Sequence, residues 1–222
     1  MPSVLDDDAR PAGAARAPRQ LLAREERQAQ LLRAAAVAFA RAGFAATSME
    51  DVASEAGVTK LIVYRHFDSK EELYRAVLTA VSERLAAEFM AGLMDPEPRR
   101  DGYLTRSILV VARENPDGFR LLTTHAAREP RFAALDQEFR DRQLAVADSM
   151  IGDMIPDAAM KSWASRVIVD HLVHGVLSWL EVGDPDRDED FVEFATLGLR
   201  GMFLSFADPD RIPADWKRHR DQ

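Results

Sequence analysis

Between Thr47 and Lys70 the chain reads TSMEDVASEAGVTKLIVYRHFDSK, and few other stretches of this length would constrain a fold so tightly. Thr47 and Glu50 stand three apart as a capping box, each side chain placed to satisfy the other's backbone N–H, so a helix is expected to begin at Ser48. Met49, Val52, Ala53 and Ala56 recur at helical spacing and give that helix one buried face. Gly57 stops it, because glycine alone enters the left-handed conformation at a helix end without strain. Thr59 is placed to cap a second helix that runs as far as Phe67. Ser69 and Glu72 form another capping box and open a third helix at Lys70. Two very short helices joined by a glycine turn, followed at once by a longer one, are the pattern of a helix-turn-helix.

The second short helix carries the unusual chemistry. On a helical wheel Val63 and Phe67 point together toward a core, whereas Leu61, Ile62, Tyr64 and Arg65 fall on other sides. Packing against a neighbouring helix or a partner protein would account for two outward apolar residues. A nucleic-acid face accounts for their neighbours as well. Apolar side chains meet thymine methyl groups, and Lys60 and Arg65 reach guanine edges or phosphates. Tyr64 and His66 supply short donors for phosphate oxygens, which set register rather than sequence. Lys70 sits where a helix N-terminus already favours an anion.

The run GVTKLIVYRHFDSKEELYRAVL, Gly57 to Leu78, resembles the DNA-binding signature of the TetR (tetracycline-repressor-like) family of bacterial regulators. RQAQLLRAAAVAFARAGFAATSMEDVASEA, Arg27 to Ala56, is similar to that family's first helix and the helix leading into the motif. Leu61 stands where many members have glycine or another small residue, and Val63 where they have leucine. The resemblance implies an all-α, homodimeric transcription regulator, with an N-terminal three-helix domain that reads DNA and a larger C-terminal helical domain that binds a small ligand. By position it assigns DNA contacts to Thr47, Ser48, Lys60, Leu61, Tyr64, His66 and Lys70. Ile62 and Arg65, from the outward sides of the wheel, and Thr59, at the cap, join them. It also implies a cytoplasmic protein acting on double-stranded DNA, with no cofactor.

Net charge is −8 over 222 residues, which looks unpromising for a DNA binder until it is divided. Residues 16–75 hold ten basic and eight acidic side chains, whereas residues 76–222 hold 18 and 26. An acidic body beside a weakly basic motif discourages indiscriminate binding. With no cysteine there is no disulfide, thiolate metal site or cysteine nucleophile. No apolar run is long enough for a membrane span, so no membrane partner is expected. Residues 1–19, rich in Pro, Ala and Arg, read as a disordered arm rather than a secretory signal. Arg10, Arg16 and Arg19 could follow a minor groove, although a solvated tail is the reading favoured.

Beyond the motif the chain reads as helix throughout. A first helix spans about 24–42, with Leu32, Ala35, Ala36 and Phe39 inward and Gly43 at its end. The helix opening at Lys70 carries Leu73, Val77, Val81, Leu85 and Phe89 on one stripe, read as core, as far as Gly92. Others are expected over about 103–114, 117–128 and 131–154, with breaks at Asn115-Pro116, Pro130 and Pro156. The boundaries divide the chain into an arm (1–19), a DNA-binding domain (20–68), a ligand-binding and dimerisation domain (69–208) and a tail (209–222).

Two last helices, about 158–182 and 189–207, are apolar on more than the ~100° stripe that a single packed face needs. Trp163, Val167, Trp179, Phe194 and Met202, with Gly198 for close approach, are the candidates for a face shared with a second copy. Asp170, His171 and His174 interrupt this apolar run. A hydrogen-bonded patch in the dimer seam, a polar corner of a ligand pocket and a His171–His174 metal pair are the alternatives, ranked in that order; His174 is assigned to the seam, His171 to the pocket, and no metal is expected. Phe119, Leu122, His125, Gln143 and Met154 complete the candidate pocket, for an apolar or aromatic effector.

An enzyme is the rival class. GxSxG, HExxH, a P-loop and GxGxxG are all absent, and Glu129, Asp136, Glu138 and Asp141 alternate with arginine as a solvated face does. A non-enzymatic, ligand-responsive regulator, a repressor released from an inverted-repeat operator by its effector, is the expectation.

Overall fold

The computed structural model describes residues 16–94 and 102–212, and every described element is helical. Helix α1 runs over Arg16–Ala46, α2 over Met49–Glu55, α3 over Lys60–Tyr64 and α4 over Lys70–Met94. Then come α5 (Tyr103–Glu114), α6 (Pro116–Arg120), α7 (Ala133–Ile151), α8 (Ala158–Val182) and α9 (Asp188–Phe206). A π turn over Leu121–His125 and two single 3₁₀ turns, Ala126–Arg128 and Pro130–Phe132, lead from α6 into α7.

Helices α1 to α3 wrap one core around Leu31, Ala35, Phe39, Val52, Val63 and Phe67, all buried. Leu31 holds the central place expected of Leu32, which packs at its edge. α1 starts at Arg16, inside the stretch expected to be an arm; residues 1–15, with Arg10, lie outside the described residues. Gly43, at φ +80, breaks its path, and the chain turns toward α2.

This core does not end with the head. Through Leu73, Tyr74, Val77, Leu78 and Val81 of α4 it continues into Val111, Leu121, Leu122 and Phe132 of the C-terminal bundle. In that bundle α4 packs on α5, α5 on α8 and α7 on α8, while α9 lies against α5 and α8. Two further clusters fill it, one around Ile151, Ile168 and Phe203 and one around Leu109, Phe119 and Val176. α7 stops at Ile151, short of Pro156, because Gly152 takes φ +52. The segment expected to begin a tail stays packed through Ile212: Asp208 N donates to Met154 O at 3.0 Å and Ile212 is buried. Residues 213–222 lie outside the described residues.

Candidate nucleic-acid interface and effector cavity

Local chemistry sets the geometry of the head. The capping box sits one residue later than the sequence suggested. Ser48 Oγ accepts from Asp51 N at 3.2 Å, and Asp51 Oδ2 accepts from Ser48 N at 2.8 Å. The Ser48 hydroxyl, donating to Asp51 Oδ2 at 2.7 Å, and then the Ser48 N–H hold the Asp51 carboxyl below its ordinary range. Thr47 is only 2% exposed, and its Oγ1 lies 2.7 Å from Gly43 O and 3.2 Å from Ala38 O. It locks the turn after α1, and its assignment to the DNA-facing surface is corrected. Gln30, which nothing in the motif singles out, donates from Nε2 to Ala56 O at 2.8 Å and satisfies the C-terminal end of α2. Gly57 turns the chain at φ +64.

α3 is a single short turn and a half, ending at Tyr64 rather than Phe67. Val63 and Phe67 anchor it in the core. Its outer side carries Leu61, 61% exposed, Tyr64, 43% exposed, and the exposed Lys60 and Arg65, with Ile62 and His66 half-buried beside them. An apolar residue that outward on so short a helix has nothing of its own chain to pack against. Thr59 precedes the helix as its cap residue, yet its side chain makes no capping bond.

Lys60 and Lys70, both expected to contact DNA, already have partners. Lys60 Nζ donates to Glu50 Oε1 and sits 5.5 Å from the centre of the Tyr64 ring. The pair lowers the Glu50 carboxyl and raises the Lys60 ammonium. Lys70 Nζ donates to Phe44 O at 2.8 Å and Ala45 O at 3.2 Å, and lies 4.6 Å from the centre of the Phe44 ring. It clamps the start of α4 to the end of α1. Burial, then the charges of Arg24 and Arg27, push His66 below 6.5, so it is a neutral hydrogen-bonding group near pH 7.

Behind this surface an aromatic joint ties head to bundle. Phe132, from the turn before α7, inserts between Phe44 of α1 and Tyr74 of α4, with ring centres 5.1 and 4.5 Å away. Tyr74 also meets Phe39 edge-on at 4.9 Å. Burial lifts the Tyr74 hydroxyl to about 12. Arg131 closes the joint, its guanidinium 5.3 Å from the Phe44 ring centre and 2.7 Å from Glu71.

The matching sequence profile is described as bacterial regulatory proteins of the tetR family, and it covers residues 31–77, from Leu31 of α1 to Val77 of α4. The chain is 30% identical over 207 residues to the HTH-type transcriptional activator FasR of Mycolicibacterium smegmatis, a match spanning 88% of this chain and 93% of that one. This chain belongs to the tetR family. It is therefore a helix-turn-helix transcriptional regulator, not an enzyme. Its fold is that of a tetR-family regulator from Bordetella parapertussis, with a TM-score of 0.65 at 21% identity over 80% of this chain and 93% of that one. It is also that of AibR, solved with isovaleryl coenzyme A and operator DNA, with a TM-score of 0.59 at 18% identity over 78% and 97%.

For a tetR-family chain the second site of interest is the bundle interior. A cavity of about 400 Å³ opens between α4, α5, α7 and α8. Leu85 and Phe89, expected as core, form its α4 wall, and Gln143 lines it from α7. Of the other expected pocket residues none reaches it. Phe119 is buried among Leu109, Val173 and Val176, and Met154 in the core beside Ile155 and Ile212. His125 sits on the π turn and exposed His171 on the outer side of α8, and neither lines a described cavity. Leu122 and His174, with Asp170, border a smaller cavity of about 170 Å³, which shares Gln143 and Phe139 with the first. His174 Nδ1 lies 3.0 Å from Asp170 O. Among the described residues no cluster of three His, Cys, Asp or Glu side chains could hold a metal, and no helix is long and apolar enough to cross a membrane.

The outer faces of α8 and α9 carry the remaining expected residues. Phe194 is 82% exposed, and Leu197 and Trp163 are exposed as well. A Cβ added at Gly198 or Gly201 would meet nothing within 4 Å. Val167 and Met202 are half-buried between this face and the core. Trp179 is committed to its own chain: its ring stacks on Phe191 at 5.0 Å and its Nε1 donates to Asp188 at 2.6 Å.

Proposed function

We propose that this regulator binds an inverted-repeat operator as a homodimer and changes its grip when a small apolar molecule enters the α4–α5–α7–α8 cavity. The observation that carries the reading is the double role of α4. Lys70 at its start is clamped to the head, while Leu85 and Phe89 four to five turns later wall the cavity. A ligand that spreads those walls tilts the rod that carries α3.

One α3 turn touches too few base pairs to discriminate among sites. Two copies held one DNA turn apart, ~34–36 Å, double the readout. The exposed aromatic and glycine face of α8 and α9 is the surface suited to join them. We assign Leu61 and Ile62 to base edges, Lys60 and Arg65 to bases or phosphates, and Ser48, Thr59, Tyr64 and His66 to the phosphate backbone, with Lys70 positioning the head. Occupying a promoter blocks polymerase by volume alone and requires no further contact surface, so repression is the simplest output. FasR, the relative at 30% identity, is named an activator, so the position of the operator decides the sign. AibR, solved with both an acyl-coenzyme A and DNA, supports a two-site protein of this kind. Work on chromosomal DNA implies the cytoplasm.

Genomic fragments selected by the purified protein, then titrated in gel shifts at two salt concentrations, test the reading. Lys60→Ala is expected to weaken binding to every sequence and lower the salt slope by about one. Tyr64→Ala should cost about tenfold. Unchanged binding in both variants would remove α3 from the interface.

A further inference from the structure

We infer that the ligand of the α4–α5–α7–α8 cavity is an aliphatic carboxylate, chain inward, with its carboxylate held at the rim by Arg142. The inference rests on the effector reading above and gives it a chemistry. Of the residues lining the cavity, all are apolar except Ser82, Ser107, Gln143 and Arg142. No carboxylate is among them.

Arg142 is exposed and therefore marks the open side of the cavity. Its Nη2 donates to Ser82 Oγ on α4 at 2.9 Å, and among the described residues no carboxylate lies within ion-pairing distance of it. Its neighbours in the bundle differ. Arg84, Arg106, Arg113 and Arg140 each hold a carboxylate, at 2.6, 2.5, 2.7 and 2.6 Å. Arg142 is thus a cation without an anion at the mouth of an apolar chamber. A guanidinium presents five donors in a planar fork that fits a carboxylate in bidentate fashion. A neutral apolar ligand would leave that fork unused, and a cationic one would be repelled.

The consequence for signalling is direct. A ligand carboxylate competes with Ser82 for the Arg142 donors, so it acts on the polar tie between α7 and α4. The rod that loses or shares this tie is the one that carries the head.

Calorimetric titration of the full chain with sodium decanoate, decan-1-ol and decylammonium, without DNA, tests this. Decanoate is expected to bind about ten- to a hundredfold more tightly than decanol, the range of a charge-assisted hydrogen bond, and decylammonium most weakly. Arg142→Gln should bring decanoate down to the level of decanol and leave decanol itself unchanged. Ala86→Trp, at an exposed position that lines the cavity, should abolish binding of both. Equal affinity for decanoate and decanol, an undiminished preference in Arg142→Gln, or undiminished binding in Ala86→Trp would each overturn the assignment. Because no DNA enters this measurement, its failure leaves operator binding standing. A chain that binds decanoate but selects no DNA would sink the regulatory reading alone.

Discussion

The head and the bundle solve opposite problems with the same helices. In the head, most ordering devices are short-range: Ser48 with Asp51, Ser69 with Glu72, Thr47 with Gly43, and a glycine turn at 57, with Gln30 on Ala56 and Lys70 on Phe44 as the longer ties. The part of its core that α1 to α3 supply comes from residues 31–67, and neither described cavity is lined by any residue of that stretch. In the bundle, order depends on partners far apart in sequence, such as Arg113 with Asp188 and Arg106 with Glu189, and the packing leaves a chamber of about 400 Å³. A closely packed reader resists deformation, whereas a chamber can be filled or collapsed at modest cost. The division between rigid and yielding parts therefore follows packing, not chain length.

The largest test of this contrast strikes the joint between the two. Phe132 belongs to the bundle by sequence and to the head by contact. Phe132→Ala should cost about 3–5 kcal/mol and give two calorimetric transitions where the intact shared core is expected to give one. A single, equally cooperative transition in that variant would mean the two regions are coupled elsewhere. Gly57→Ala comes next. The added methyl meets nothing within 4 Å, so its cost is the left-handed backbone alone, about 1–2 kcal/mol, read as a lower Tm with fluorescence of the bundle unchanged.

The smallest effect is a pH dependence. His66 in the head and His125 in the bundle are both held below 6.5 by burial, aided by Arg24 and Arg27 for the first and Arg128 for the second. The unfolded chain therefore binds protons before the folded one does. Stability present above pH 6.5 is lost as pH falls through the folded values. Tm should decline over that window in the wild type and decline less in His66→Gln with His125→Gln. Loss beginning only below pH 4.5 would point instead to the lowered carboxylates Glu50 and Asp51.

Much of the head was legible because its signals are local. The turn at Gly57, the anchoring of Val63 and Phe67 and the outward Leu61 all follow from spacing. The first box slipped by one residue because Thr47 and Ser48 both carry a capping hydroxyl, and only the fold decides which one turns inward. In the bundle, the limits of α5 and α8 match the expected 103–114 and 158–182, with Asn115-Pro116 and Pro156 as the breaks. The pocket was not. Searching for polar groups among apolar ones selects His125 and His171 as readily as Gln143, and it places Phe119 and Met154 on the apolar wall, because which side of a helix faces a cavity is settled by neighbours about 20 to 90 residues away. The π turn at Leu121–His125 has no compositional mark, and Arg142 looked like one more charge on a solvated face.

Glu50 carries a last consequence. Its carboxylate already holds the Lys60 ammonium, so on the proposed reading a backbone phosphate reaching Lys60 would have to displace an internal anion. Association would then exchange one anion for another and leave the displaced acid facing a polyanion. Under that proposal the resident competitor weakens every complex by the same amount, so the ratio between sites is unchanged. Occupancy falls first on the weak sites, while an operator that offers further contacts through Leu61 and Arg65 stays filled.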